Sequence, residues 1–158
     1  MINENDKIPA GTLSTKGTIG TEQFDPAEKF AKGTHVLFAV PGAFTPTCSE
    51  QHLPGYVEHA DKFVAKGVNG LYCLATNDAF VMQAWANSLN VNNKVTMLSD
   101  GDAGWSEKLG LTMDTGAFGG VRTQRFAMII RDGVVTNLFV EGPQAFEVSA
   151  AEHVLKHL

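Results

Sequence analysis

Apolar runs and apolar stripes alternate along this chain, and each has the period of a different element. Residues 35–40 (HVLFAV) form an unbroken apolar run rich in β-formers and closed by Pro41, which predicts a buried central strand. After TPTCSE the apolar residues Leu53, Tyr56, Val57, Ala60, Phe63 and Val64 recur at three- and four-residue spacing. That stripe predicts an amphipathic helix ending near Gly67. Residues 70–76 (GLYCLAT) predict a second strand, and residues 78–89 (DAFVMQAWANSL) a second helix with Asn77 or Asp78 as its cap. A third strand is expected over 94–98 (KVTML), a short helix over 103–109 stopped by Gly110, and a fourth strand over 125–130. Asp132-Gly133 predicts a hairpin turn into VVTNLFVE. Residues 147–158 predict a closing helix with Ser149 as candidate cap.

Strand and helix in alternation, followed by a hairpin and a final helix, predict an α/β domain. Its mixed central sheet is expected to be covered by helices on both faces, a thioredoxin-like pattern. No repeat, low-complexity tract or linker interrupts the 158 residues, so a single domain over 1–158 is expected. A composition 44% hydrophobic and 18% charged excludes disordered and fibrous classes. The net charge of −5, without clustered Lys or Arg, argues against a nucleic-acid surface. No apolar run approaches the roughly 20 residues of a membrane span. The start MINENDKIPA lacks the basic and apolar regions of a signal peptide, so a cytoplasmic protein is expected.

Candidate chemistry centres on VPGAFTPTCSE, residues 40–50, which holds Cys48, one of only two cysteines. Two cysteines make no disulfide scaffold, and a reducing compartment would keep both as thiols. Cys48 falls just beyond the carboxyl end of the first predicted strand and at the start of the first long helix. Open α/β sheets place reactive groups there. The first amides of a helix are unpaired and carry partial positive charge, which favours a thiolate, the nucleophilic form of cysteine. Pro46 suits the opening turn. The Thr45 hydroxyl can accept a backbone amide, or donate to the sulfur or to a bound oxygen. No CxxC partner is present, so attack on a small external electrophile is expected, with peroxide the natural candidate.

The spacing Pro41-xxx-Thr45-xx-Cys48 within PGAFTPTCSEQHLPG closely resembles the active-site loop of the peroxiredoxins, and in particular their atypical type II, peroxiredoxin-5-like branch. Similarity continues through YVEHADKF, GLYCLATNDAFVMQAWA, the GAFGG loop and QRFAMIIRDGVV, nearly the whole chain. The resemblance implies that Cys48 is the peroxidatic cysteine, which attacks a peroxide oxygen and becomes a sulfenic acid. It implies that Thr45 bonds the peroxide and the sulfur, and that Pro41 shields the pocket from water. The family's arginine falls on Arg125 rather than Arg122 or Arg131. A guanidinium is always charged and donates from a rigid fork, so it suits both a thiolate and a polarised peroxide. The amides of Thr47 and Cys48 would steady the leaving oxygen. Phe44, Phe80 and Phe118, from the PGAF, NDAF and GAFGG segments, are expected to line the pocket and a homodimer contact. No cofactor or metal is implied.

Free cysteine is often inert core, and that reading is preferred for Cys73 inside GLYCLAT. The stretch VEGPQAFEVSAAEHV carries no resolving cysteine of the kind some relatives have near their C-terminus. A one-cysteine cycle is therefore expected, with an external thiol as reductant: glutathione with glutaredoxin first, thioredoxin second. Two other classes stay open. One is a peroxide-sensing or chaperone-like protein of the same fold without turnover. The other is a cysteine hydrolase or metal site using His52, one helical turn after Cys48. For His52 a structural role is preferred.

Overall fold

The computed structural model describes residues 1–17 and 19–158. Seven strands form one mixed sheet in the order β2-β1-β5-β4-β3-β8-β9. In chain order they are β1 (Leu13–Gly17), β2 (Gly20–Phe24), β3 (Thr34–Ala39), β4 (Gly70–Ala75), β5 (Thr96–Ser99), β8 (Phe126–Arg131) and β9 (Val134–Val140). A separate two-stranded ribbon pairs β6 (Thr112–Asp114) with β7 (Val121–Thr123). Strands β3, β4 and β5 run parallel, whereas β8 returns antiparallel to β3. The fold is thus the expected thioredoxin-like α/β type, with its sheet covered on both faces.

The central strands are apolar throughout because both faces are buried. On one side Val36, Phe38 and Cys73 meet Leu53, Tyr56, Phe63, Met82 and Trp85. These come from helices α2 (Leu53–Glu58), α3 (Ala60–Ala65) and α4 (Ala79–Ser88), with Val154 of α6 (Ala151–Leu155) joining them. On the other side Leu37, Leu74, Leu98, Phe126 and Met128 meet Phe30, at the end of α1 (Pro26–Lys29), and Trp105 and Leu109 of α5 (Gly104–Leu109).

Several expectations need correction. The long helix after Cys48 is broken. Its first turn, Cys48–His52, is π-helical and closes with the Leu53 amide donating to the Cys48 carbonyl. Pro54 has no amide to give Glu50, which removes the bond an α-helical turn would need there. A second break at His59 (φ −97, ψ 8) separates α2 from α3. Val64, placed on the apolar stripe, lies beyond this break and is 69% exposed. The closing helix is shorter than 147–158, and Ser149 is not its cap: Ala150 takes that position. Asp78, not Asn77, caps α4, accepting from the Val81 amide. The β1–β2 hairpin and the β6–β7 ribbon had no signal, because LSTKG, GTEQF, TMD and VRT are short and mostly polar. Asp132 and Gly133 both have positive φ, 49° and 80°, as the hairpin turn requires.

One consequence of topology places the site. Since β8 is antiparallel to β3, with Phe126 opposite Ala39, residues just before β8 lie beside the carboxyl end of β3. Arg125 and the loop to Cys48 therefore meet.

Candidate active site

Cys48 opens the π-helical turn and is 1% exposed. Arg125 reaches it from the start of β8, with an Nη2–H donating to Sγ at 3.1 Å. The other arm of the same guanidinium donates from Nη1 to Nδ1 of His52 at 2.8 Å. Guanidinium can only donate, so Nδ1 must carry the lone pair and the ring proton sits on Nε2. That Nε2–H donates to the Ser149 carbonyl at 3.1 Å. Burial and then the adjacent Arg125 charge lower the His52 pKa to about 3, against a smaller opposing effect of the Ser149 carbonyl. His52 is accordingly a neutral imidazole whose lone pair is already taken. It is not placed to deprotonate Cys48 or to ligate a metal, and the hydrolase reading loses its base.

A cage surrounds this pair. Tyr56 donates its hydroxyl to the same Ser149 carbonyl at 2.6 Å and stacks on Phe38 with centroids 3.9 Å apart. Phe146 packs against His52 and lies 5.9 Å below the Arg125 guanidinium carbon, a cation–π contact. Ser149 itself is fixed by Glu141, whose carboxylate accepts from the Ser149 amide and hydroxyl at 2.8 and 2.6 Å and from the Glu147 amide at 2.7 Å. Partial burial alone would raise the Glu141 carboxyl. The hydrogen bonds from Ser149 and Glu147 outweigh it and hold the group below the ordinary carboxylate range.

A cleft of about 670 Å³ opens over Cys48's neighbours, walled by Pro41, Thr47, Arg125, Met113, Glu141 and the turn at 142–145. The topology thus brings Cys48, Arg125, Pro41 and Thr47 together. The Thr45 hydroxyl donates to the Gly42 carbonyl at 2.6 Å, so its proton is spent and its lone pairs remain as acceptors. Phe44 and Phe118 stand outside the cleft wall, 57% and 77% exposed, and Phe80 is 60% exposed. Cys73 is fully buried in β4, where burial first and the nearby Cys48 second push its thiol well up, only partly offset by Arg125.

Sequence reasoning missed the roles of Ser149, Glu141 and Phe146, and of His52 it gave the structural role without the partner. Ser149 acts through its backbone carbonyl, which no residue type announces. Glu141 and Phe146 belong to the stretch read for its lack of cysteine, and Glu141 was read besides only as the last residue of the hairpin strand. For His52 the preferred structural role is the one it plays, and what the spacing to Cys48 does not reveal is its partner, the Arg125 guanidinium.

The redoxin family matches residues 3–155. Peroxiredoxin-2B of Arabidopsis thaliana is 41% identical over 159 residues, covering 99% of this chain and 98% of that protein. The crystal structure of reduced Prx3 in complex with H2O2 from Vibrio vulnificus superposes with a TM-score of 0.97 at 52% identity, covering 99% of each chain. Peroxiredoxin 5 from Alvinella pompejana gives a TM-score of 0.87 at 29% identity, over 99% of this chain and 97% of that one.

Proposed function

We propose, from the premise that this chain belongs to the peroxiredoxins, to their atypical type II branch and so to the thiol-dependent peroxidases, that Cys48 is its peroxidatic residue. The observation that carries this reading is the single guanidinium of Arg125 bonded at once to the Cys48 sulfur, 3.1 Å, and to a neutral His52, 2.8 Å.

The Cys48 thiolate attacks the distal oxygen of hydrogen peroxide or an organic hydroperoxide. An S–O bond forms and the O–O bond breaks, leaving a sulfenic acid and releasing water or an alcohol once the departing oxygen takes a proton. Arg125 has a permanent charge and several N–H donors, so it can steady sulfur and peroxide oxygens together. Its fork is held from behind by His52, which limits where those donors point. Thr45, with its proton given to Gly42, offers lone pairs to the peroxide hydroxyl, and Pro41 and Thr47 wall the approach.

An external thiol then attacks the sulfenic sulfur, releasing water and leaving a mixed disulfide. A second thiol exchanges with it and restores Cys48. The buried Cys73, with its thiol pushed up, is a poor attacking group, which supports a one-cysteine cycle with glutathione and glutaredoxin, or thioredoxin, as reductant. The exposed Phe44, Phe80 and Phe118 support assembly as a homodimer. We place the protein in the cytoplasm, where such reductants keep thiols reduced. No described helix is long and apolar enough to cross a membrane.

Stopped-flow consumption of hydrogen peroxide by the wild type, Cys48→Ser and Cys73→Ser, with mass spectrometry of the products, tests this. Activity should vanish only in Cys48→Ser, with a sulfenic acid or a glutathione adduct on Cys48 in the others. Fast reduction surviving in Cys48→Ser would sink the reading, and a Cys48–Cys73 disulfide that is required for turnover would overturn the one-cysteine cycle. One equivalent consumed without turnover would identify a sensor.

A further inference from the structure

Arg122, on β7, is a second arginine beside the cleft, and it spends its hydrogen bonds on backbone rather than on sulfur. Its Nη1–H donates to the Pro41 carbonyl at 3.0 Å and its Nε–H to the Gly119 carbonyl at 3.1 Å. Among the described residues no carboxylate pairs with it. Two glycines make room for the group. A Cβ on Gly42 would come within 2.7 Å of Nη1, and one on Gly119 within 2.5 Å of Nη2 and 2.6 Å of Nε. Neither glycine has a left-handed backbone, so what each supplies is space for the guanidinium rather than conformational freedom.

The loop that Arg122 grips is the one between β3 and Cys48, and it needs holding. Phe44 has φ +63, a conformation that a bulky residue keeps only where its surroundings impose it. Two ties from outside the loop flank Gly42: Arg122 on Pro41, and Asn77, whose side-chain oxygen accepts from the Ala43 amide at 2.8 Å. The third tie is internal, Thr45 to Gly42. Thr45 and Thr47 therefore take their places from a segment whose first residue is fixed by Arg122.

We propose that Arg122 is a positioning residue for the peroxide side of the site, setting Pro41, Thr45 and Thr47, while Arg125 serves the sulfur. This rests on the peroxidase reading above. A division of labour follows: loss of Arg122 disturbs the placement of peroxide but leaves the reactivity of Cys48 toward electrophiles that need no such placement. A displacement of about 1 Å in a reacting geometry can cost about a hundredfold in rate. Lysine carries its N–H donors on one nitrogen and lacks the spaced, fixed directions with which the guanidinium fork reaches both carbonyls.

The test uses the full chain with Cys73→Ser, so that Cys48 is the only thiol. Two second-order rate constants are measured at one pH: oxidation by hydrogen peroxide and alkylation by iodoacetamide. Arg122→Ala should lower the first by about 10- to 100-fold and the second by less than about twofold. Arg122→Lys should recover only part of the loss. Gly119→Ala, which keeps the arginine but fills its space, should reproduce the loss, and should add nothing to Arg122→Ala in the double variant. If Arg122→Ala does not fold, Arg122→Lys and Gly119→Ala decide by the same ratio of rates. Both rates falling together, neither falling, or full additivity of the two substitutions would overturn the proposal. Failure of the peroxidase reading has a separate signature: the Cys73→Ser chain with Arg122 intact would react with peroxide no faster than a free thiol.

Discussion

His52 accepts a hydrogen bond from Arg125, Nη1 to Nδ1 at 2.8 Å, and so keeps its lone pair against a permanent cation in the protein interior. Burial and that charge lower its pKa from 6.5 to about 3. In the unfolded chain the ring would take up a proton near pH 6.5, so between about pH 6.5 and 3 the unfolded state binds more protons. Stability must therefore decline as pH is lowered through that window, by roughly 1.4 kcal/mol per unit at most from this one group. Urea unfolding at pH 7, 6 and 5 should show the decline in the wild type and a flatter profile in His52→Gln, which cannot titrate. Equal slopes would mean that His52 takes up its proton in the folded protein as readily as in the unfolded chain.

Arg125 supplies the N–H that touches the sulfur, and loss of one such donor from a preorganised site costs about 10²- to 10³-fold in rate. Arg125→Gln keeps two donors but no charge, and Arg125→Lys keeps charge but no fork. Both should slow peroxide reduction by that order, and both should also slow alkylation of Cys48 at neutral pH. Stopped-flow peroxide traces alongside iodoacetamide labelling would check this; unchanged labelling in Arg125→Gln would show that the guanidinium does not support the sulfur.

The elements carrying this site were legible to different depths. HVLFAV, GLYCLAT and QRFAMIIR are apolar on both faces, so their strands could be read from the chain, and Cys48 and Arg125 followed from motif and resemblance. The π-helical turn could not be read from the apolar stripe, which ignores the missing amide of Pro54. The edge hairpin carried too few apolar residues to register. Positions whose function lies in the backbone, such as the carbonyls of Ser149, Pro41 and Gly119, are silent in any sequence. So are Gly42 and Gly119, which look like loop glycines until the guanidinium they admit is in view.

Phe118 and Phe44 expose most of their rings, an arrangement that leaves apolar surface in water unless another chain covers it. Phe118→Asp should therefore shift the protein toward monomer in sedimentation velocity across a dilution series, with the fold unchanged by circular dichroism. A wild type that is monomeric at every concentration would remove the dimer reading.

Glu141 connects the end of β9 to the Ser149 segment by three hydrogen bonds to one carboxylate oxygen. Ser149 in turn offers its carbonyl to both His52 and Tyr56, so the carboxylate orders the support behind Arg125. Glu141→Ala leaves the Ser149 amide and hydroxyl without their acceptor, and a buried donor left unpaired costs about 1–3 kcal/mol. Glu141→Gln retains one acceptor oxygen and should lose less. The depressed carboxyl makes the same point through pH. Its stabilisation is present above the ordinary carboxylate range and is lost as pH falls through the folded value, in the same sense as His52. The two contributions separate in the variants: Glu141→Gln should remove only the lower-pH part of the decline in urea midpoints, and His52→Gln the part that begins near pH 6.5. A Glu141→Ala protein as stable as the wild type at pH 7 would mean that the C-terminal segment is held by its apolar packing alone.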